Sequence, residues 1–344
     1  MPCGVIWQGG CLITLKNSSD LTRRHWLAAS GAALLPGLPG CGWLLNQPIA
    51  IAAHTWLGYE PLFLAQREGW LDPQLAQVVQ TTNATESLEA LVQGKVQGVA
   101  LTMDEMLRAR ASGQALTAVL VFNVSAGADM LVSRPGIKTL AELKGKRIGY
   151  ESGSVGDLLL SEILELAKLT KQEVSVMPMN VDTHLHAWEG RLVDALISYE
   201  PVGSQLVQRG GIKLFDSRQT PDMIVDVLAM RTDVLDRAHD KAMRHLTAGH
   251  FQALERLHHN PQDTAYRMAE HLGLPASGVL AAFKGLLLPD APNNHRLLAG
   301  TAPDLMTSAK KLSATMVKAG FLGRDDSLAA LVNGEYVRSQ ESTK

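Results

Sequence analysis

Short apolar runs alternate with segments of helical periodicity along the first half of the chain. The apolar runs predict strands at 48–54, 76–81, 96–101 and 116–124. Between them, apolar residues recur every three or four positions, which is typical of helices that bury one face. Strands that alternate with helices favour a parallel sheet covered by helices on both faces. The globular part of the chain is therefore predicted to begin with an α/β unit.

The same alternation starts again after the turn signal Arg134-Pro135-Gly136. Two strand-like runs, 129–133 and 223–230, lie on either side of this second unit, and we predict that they cross between the two lobes. A two-stranded hinge at 129–135 and 221–228 permits closure around a ligand. Within the second unit, strands are predicted at 146–150, 174–179, 194–199 and 211–215.

From Thr232 onward the periodicity is helical. The predicted boundaries are accordingly 48–132 plus 224–344 for lobe 1 and 133–223 for the inserted lobe 2. The predicted fold class is α/β, with a mainly parallel sheet flanked by helices in each lobe and a helical C-terminal tail. The helices predicted in the tail are 232–259, 261–272, 275–285, 302–320 and 325–340.

Residues 1–41 have the pattern of an export signal. Arg23-Arg24 precede an Ala/Leu/Gly-rich run that is too short for a membrane span and ends in Leu38-Pro39-Gly40-Cys41. The arginine pair resembles a twin-arginine signal, and the ending resembles a bacterial lipobox in which Pro39 is unusual. We expect an exported protein in the periplasm or at the cell surface, held at a membrane only by a lipid on Cys41.

Composition narrows the function classes further. The 344 residues are 46% hydrophobic and 19% charged with a net charge of −2, an ordinary α/β balance without a basic surface for nucleic acid. The cysteines are Cys3, Cys11 and Cys41, which leaves no disulfide or cysteine metal site in the globular part. The histidines show no metal-ligand spacing. We expect a monomer without a cofactor.

The tripeptide Tyr-Glu-Pro occurs twice, as Tyr59-Glu60-Pro61 and as Tyr199-Glu200-Pro201. Each copy follows a strand and opens a helix, where a proline costs no hydrogen bond. Ligands of open α/β sheets bind at strand-to-helix turns, so the two copies are candidates for opposite walls of one cleft. The alternative is a chance repeat of a common helix start.

Five segments resemble the substrate-binding proteins of ABC transporters in the nitrate/sulfonate/taurine group. The resemblance extends over residues 48–340, and it depends on the order and spacing of the segments more than on any one motif. It implies a two-lobe, type II periplasmic-binding fold and a small solute delivered to a membrane permease with its ATPase. The segments are WLGYEPLFLAQ at 56–66, ESLEALVQG at 86–94, LRARASG at 107–113, IKTLAELKGKRIG at 137–149 and DALISYEP at 194–201.

In such a two-lobe binder the ligand contacts strand-to-helix turns from both lobes. Trp56 is suited to stacking on a flat ligand, although it could simply be core. Ser152 and Ser154 could bind an oxygen through the helix N-terminus or serve only as a cap. The candidate ligand-binding residues are Trp56, Tyr59, Glu60, Thr102, Asp104, Asn123 and Ser125 of the first lobe, Ser152, Ser154 and Glu200 of the second, and Asp226 on a hinge strand.

The charge of these turns favours a particular kind of solute. A desolvated anion needs donors and preferably a cation, yet the candidate turns carry Glu60, Asp104 and Glu200 and neither Lys nor Arg. We therefore expect a neutral or amine-bearing heterocyclic or small organic solute. Glu60→Gln and Glu200→Gln are expected to weaken its binding, although either glutamate could serve only the helix dipole.

Two other functions remain open at this level. Pyrimidine-precursor synthases resemble this group, but they carry a cysteine-rich iron motif, and no cysteine follows Cys41. No Gly-x-Ser-x-Gly or phosphate-loop motif occurs either, so we expect no enzymatic activity. The second alternative is a ligand-sensing module that acts on a separate signalling partner.

Overall fold

Two β-sheets, joined by two chain crossings, form the framework of residues 47–337, the part of the chain that this computed structural model describes. The predicted export signal and Cys41 lie outside the described residues. The strands, in chain order, are β1 (Ile49–His54), β2 (Ala76–Thr81), β3 (Gly98–Thr102), β4 (Leu116–Ser125), β5 (Asp129–Ser133), β6 (Arg147–Tyr150), β7 (Ser175–Pro178), β8 (Ala195–Tyr199), β9 (Ile212–Asp216), β10 (Val225–Arg231) and β11 (Leu286–Leu287).

The helices cover both sheets, and the later ones form a helical tail. None of those in residues 47–337 has both the length and the apolar character that a membrane crossing requires. In chain order they are α1 (Glu60–Arg67), α2 (Ala84–Val92), α3 (Met103–Ala111), α4 (Val155–Ala167), α5 (His184–Glu189), α6 (Val202–Gln208), α7 (Asp240–His259), α8 (Pro261–Leu272), α9 (Ala276–Phe283), α10 (Ala291–Leu298) and α11 (Asp304–Lys318).

The first sheet has six strands in the order β11-β4-β10-β3-β1-β2, and the second has five in the order β7-β6-β8-β5-β9. Strand β1 pairs in parallel with β2 and β3, and β6 pairs in parallel with β7 and β8. The near-continuous apolar run of β1 suits this central position, because both of its faces are covered. The predicted two-lobe α/β fold with a helical tail is confirmed. Each sheet is mixed rather than mainly parallel, because β10 pairs antiparallel with β3 and β4, and β5 with β8 and β9.

The crossings between the sheets differ from the prediction. Strand β5 pairs antiparallel with β8 and β9, so 129–133 belongs to the second sheet and does not cross between lobes. Its five residues are all buried, which suits a strand with neighbours on both sides. The chain crosses instead at 126–128, and it returns between β9 and β10, at 217–224. At the first crossing, the Ser217 side chain accepts a hydrogen bond from Gly127 N (2.7 Å).

The tail also departs from the prediction in three places. The helix predicted at 232–259 begins only at Asp240, after a short 3₁₀ turn, and α10 was not predicted. No helix forms in 325–337, the described part of the predicted last helix. Leu328 and Ala330 have positive φ there, which interrupts a helix. The segment instead lies against β4, where Val332 bridges Ala118.

The hydrophobic core follows the two sheets and also spans them. One cluster fills the first lobe and the tail, and two smaller clusters cover the faces of the second sheet. Leu158, Val181 and Tyr199 of the second lobe belong to the first-lobe cluster. The two lobes are therefore packed against each other in a closed arrangement.

Candidate functional site

A narrow cleft lies between the lobes and is filled almost entirely by side chains. Two adjoining cavities, each of about 10 Å³, share Asp129, Val155 and Tyr199 in their walls. We call the residues of both walls the interlobe cleft. They are His54, Trp56, Tyr59, Thr102, Glu105, Asp129, Val155, Tyr199 and Asp226 in the first cavity, and Asp129, Glu151, Ser154, Val155, Gly156, Leu159, His184, Ile197, Ser198 and Tyr199 in the second.

The cleft is built from strand ends and helix starts. His54 is the last residue of β1, Thr102 ends β3 and caps α3, and Tyr199 ends β8. Tyr59 caps α1, and Ser154 caps α4 through a hydrogen bond from Gly156 N. Because the carboxyl ends of parallel strands lie at one edge of a sheet, these residues converge.

Aromatic rings form one part of the cleft and contact each other across the lobes. Trp56 lies perpendicular to Tyr199, with ring centroids 5.4 Å apart. His54 contacts both tyrosines of the cleft, Tyr59 at 5.4 Å and Tyr199 at 5.8 Å. The Trp56 indole nitrogen donates to the Asn123 side chain at 3.1 Å, which fixes the orientation of the ring. Each edge-to-face pair adds about 0.5–1.5 kcal/mol beyond its buried area.

Buried acids form the other part of the first cavity. Asp226 accepts hydrogen bonds from the Tyr59 hydroxyl (2.6 Å) and from Asn123 Nδ2 (2.8 Å), yet burial raises its pKa to about 8. Burial also raises the pKa of Asp129 to about 7, and one of its carboxyl oxygens has no hydrogen-bond partner. Burial raises the pKa of Glu105 well above its usual value, and the neighbouring acid Asp104 raises it further.

The second cavity combines an acid with a neutral histidine. Burial raises the pKa of Glu151 to about 7; its Oε2 accepts a hydrogen bond from the Tyr199 hydroxyl (3.4 Å), while Oε1 has no partner. His184 Nδ1 contacts the Ser198 hydroxyl at 3.1 Å, and its Nε2 has no partner. Burial lowers the pKa of His184 and of His54 to about 4, so both imidazoles are neutral at pH 7.

The family of the chain follows from a match to its central part. The NMT1/THI5-like family model matches residues 58–264, which include most of the interlobe cleft. The chain belongs to the NMT1/THI5-like family. Relatives from Brucella abortus and Brucella suis, each described as a binding protein, are 33% identical over 92 residues. That match covers 27% of this chain. In terms of the relatives, the chain spans 28% of the length of the curated proteins it matches.

Solved structures share the fold of this NMT1/THI5-like chain at low sequence identity. A ligand-binding component of an ABC-type import system from Staphylococcus aureus has a TM-score of 0.70 at 17% identity, covering 85% of this chain and 98% of that one. The alkanesulfonate-binding protein SsuA of Xanthomonas axonopodis has 0.69 at 18%, covering 83% and 98%. The nitrate-binding protein NrtA of Synechocystis has 0.64 at 12%, covering 80% and 82%.

Five of the candidate ligand-binding residues that the sequence indicated lie in the interlobe cleft. These are Trp56, Tyr59, Thr102, Ser154 and Asp226. Asn123 lies directly behind them, since it bonds both Trp56 and Asp226.

Three other indicated residues lie outside the cleft walls. Asp104 accepts a hydrogen bond from Thr102 Oγ1 (2.7 Å) and lies 3.7 Å from Arg108. Ser125 bonds Ser217 at the chain crossing (2.7 Å), and Ser152 is exposed.

The two glutamates of the repeated tripeptide also lie outside the cleft. Glu60 is fully buried in an ion pair with Arg67 (2.5 Å) and contacts His271 of α8. Glu200 accepts hydrogen bonds from Ser204 N (3.0 Å) and Oγ (2.8 Å). In each copy it is the tyrosine that lines the cleft. Tyr199 is the last residue of β8, whereas Tyr59 lies beyond the end of β1 and directly before α1.

Several cleft residues were not indicated by the sequence. Glu105 follows Thr102 by three positions, and its role in a capping box concealed its place in the cleft. Tyr199 carried the same signal as Tyr59, since both belong to the repeated tripeptide. The remaining acids and the histidines of the cleft gave no motif signal; they are His54, Asp129, Glu151 and His184.

Proposed function

We propose that this chain is the solute-binding component of an ABC importer, which captures a small organic solute in the interlobe cleft and delivers it to a permease. The observation that carries the proposal is the cleft itself, where aromatic rings and buried polar groups of both lobes converge. Its solute-contacting residues are proposed to be Trp56, Tyr59, Thr102, Ser154 and Asp226, together with His54, Glu105, Asp129, Glu151 and Tyr199.

The cellular setting of this function is part of the proposal. We infer an exported monomer that acts in the periplasm or at the cell surface, anchored by a lipid on Cys41, and that binds its solute without transforming it. The names of the structural relatives support a binding role, since two of the three described above are binding proteins and the third is an import-system component. ATP hydrolysis then belongs to the partner ATPase.

Closure around the solute is the mechanism that the two crossings permit. Contacts between the lobes include Arg108 with Asp157 (3.5 Å) and Asn83 Nδ2 with Asp182 (3.4 Å), which a hinge motion at 126–128 and 217–224 would break and remake. A solute that contacts both walls favours the closed state over the open one.

Small-angle scattering tests this proposal with the intact exported protein. Compounds found by a thermal-shift screen of amines, pyrimidines, sulfonates and oxyanions are added at saturation, and the radius of gyration is expected to fall. Adding the protein and its solute to vesicles that hold the permease and ATPase should stimulate ATP hydrolysis. A bound compound that leaves both the radius and the ATPase rate unchanged would overturn the importer function.

A further inference from the structure

We propose that the interlobe cleft binds a small organic cation that carries N–H donors, such as an ammonium or amidinium group, and rejects oxyanions. This inference rests on the proposed function, because it names the class of solute that the same cleft would capture. It is argued below from the charges, the hydrogen-bond partners and the aromatic rings of the cleft.

Above a pH of about 7 to 8, where Asp129, Glu151 and Asp226 ionise, the charged groups of the cleft are all acidic. Glu105, Asp129, Asp226 and Glu151 are each at most 3% exposed, and none of the described residues that line the cleft is Lys or Arg. Arg108 of α3, which does not line the cleft, lies 3.7 Å from Asp104 and 3.5 Å from Asp157. These two acids balance its charge, although its Nε and Nη2 form no hydrogen bond. A desolvated anion in the cleft would meet acids alone, whereas a cation would be paired.

Three hydroxyl donors of the cleft and its indole donor are already engaged. The hydroxyls of Tyr59, Tyr199 and Thr102 donate to Asp226, Glu151 and Asp104, and the Trp56 indole donates to Asn123. An oxyanion needs several donors to replace its hydration shell. To bind in this cleft, it would have to take donors away from carboxylates that would then be left unsatisfied.

The carboxyl oxygens without partners in the cleft are acceptors once their groups have ionised, above a pH of about 7. These oxygens are Asp129 Oδ2 and Glu151 Oε1, both buried without a hydrogen bond. Nδ1 of His54 and Nε2 of His184 also have no partner, and the tautomer decides whether each donates or accepts. Native proteins satisfy nearly all buried polar atoms, so these atoms indicate the chemistry of the ligand that completes the site. An ammonium or amidinium supplies N–H donors to them, while a quaternary ammonium has no such donor.

The aromatic residues of the cleft also favour a cation over an anion. Trp56, Tyr59 and Tyr199 lie within one connected ring cluster beside the acids. A cation over an aromatic face gains about 0.5–2 kcal/mol, and the same negative face disfavours an anion. The cleft therefore combines two features that select an organic cation.

Isothermal titration calorimetry of the intact protein at pH 8 tests the inference with matched probes. Benzylammonium, benzamidinium and 4-aminopyridinium carry N–H donors, benzyltrimethylammonium carries a charge without them, and benzenesulfonate and nitrate are anions. We expect at least one N–H cation to bind at least 10-fold more tightly than the trimethyl analogue, and no binding of the anions.

Two substitutions locate the binding in the cleft. Asp129→Asn keeps the shape of the side chain and is expected to lower the affinity for the cation at least 10-fold. Asp326→Asn removes an acid that pairs with Arg110 outside the cleft and should leave affinity unchanged. Thermal melting of both variants separates loss of affinity from loss of fold; if Asp129→Asn does not fold, Glu151→Gln is titrated in its place.

The contrary outcomes are distinct from failure of the importer function. Binding of benzenesulfonate or nitrate in preference to the cations overturns the cation class and leaves the solute-binding function standing. The cation class is also overturned if no N–H cation binds, or if neither cleft substitution weakens the one that does. The importer function is then judged by scattering and ATPase stimulation alone.

Discussion

Tyr59 and Tyr199 occupy corresponding places in the two lobes, each beside an acid of its own lobe. Their hydroxyls donate to Asp226 and Glu151, and burial raises the pKa of both tyrosines well above the usual value. Both side chains therefore stay neutral donors at neutral pH. The repeated tripeptide thus supplies one aromatic wall and one fixed donor to each side of the cleft.

The glutamate of the first copy has a structural role that can be tested separately. Glu60→Gln removes the buried negative charge that pairs with Arg67 and contacts His271. Hydrogen bonds to charged groups contribute about 1.5–3 kcal/mol, and glutamine retains part of this, so we expect a loss of about 1–2 kcal/mol in the free energy of unfolding. Denaturant unfolding measures the loss, and solute affinity is expected to stay within twofold.

The matched control for this substitution is Glu89→Gln, at an exposed position of α2. It should change neither stability nor affinity. If Glu60→Gln left stability unchanged but reduced affinity, Glu60 would be a solute-binding residue, and the structure would be contradicted.

At the residue scale, the sequence predicted which turns form the cleft better than it predicted which side chains of those turns line it. Trp56, Tyr59, Thr102 and Ser154 lie in the cleft as their positions in strand-to-helix turns suggested, and Asp226, indicated on a hinge strand, lies there too. The direction of a side chain within a turn depends on how the helix docks, and this information is absent from local spacing. Asp129 and Glu151 lacked any signal for the same reason, because their neighbours in space are distant in the chain.

At the scale of elements, the turn between β6 and α4 determines where Glu151 lies. Ser154 accepts a hydrogen bond from Gly156 N and donates to the Glu151 carbonyl at 3.2 Å. A Cβ at Gly156 would lie 2.3 Å from that same carbonyl oxygen, which is backbone and cannot rotate away. Glycine at this position is thus a requirement of the tight turn.

Gly156→Ala is expected to displace this turn. Overpacking of this kind costs about 1–3 kcal/mol of stability, and the shift of Glu151 should weaken solute binding as well. Thermal melting and calorimetry measure the two effects. Gly323→Ala serves as the control, since a Cβ there meets no atom within 4 Å. If Gly156→Ala behaves like the control, the turn does not constrain the cleft.

Strands and helices with strong periodicity were predictable, and their long-range pairing was not. β2 and β5 have the predicted bounds. The position of β5 within the second sheet is set by partners more than 60 residues away. No local pattern distinguishes such a strand from one that crosses between lobes.

At the scale of the whole molecule, buried acids and buried histidines give stability a defined dependence on pH. Asp129, Glu151 and Asp226 have a pKa of about 7, 7 and 8 in the folded protein, so above pH 4 they retain protons that the unfolded chain has released. Raising the pH therefore favours unfolding. His54 and His184, with a pKa of about 4, act in the opposite sense, but only up to about pH 6.5, the ordinary value.

Stability of the protein without solute should therefore fall between about pH 6.5 and pH 8. Each carboxyl that is still protonated in the folded state contributes a slope of up to about 1.4 kcal/mol per pH unit. Denaturant unfolding from pH 5.5 to 9 measures the fall, and Asp226→Asn should reduce it. A free energy of unfolding that rises across this range would show that the acids are ionised in the folded protein.

Trp56 gives the molecule an intrinsic optical signal for the separation of its lobes. Its indole is 3% exposed and rests edge-on against Tyr199 of the opposite lobe. Trp70 and Trp188 lie instead beneath Arg256 and Arg134, each within a single lobe. When the cleft opens, water reaches the Trp56 ring while the surroundings of Trp70 and Trp188, the other tryptophans of residues 47–337, stay as they are. Ultraviolet emission from this one indole therefore follows opening and closing in solution without an attached dye.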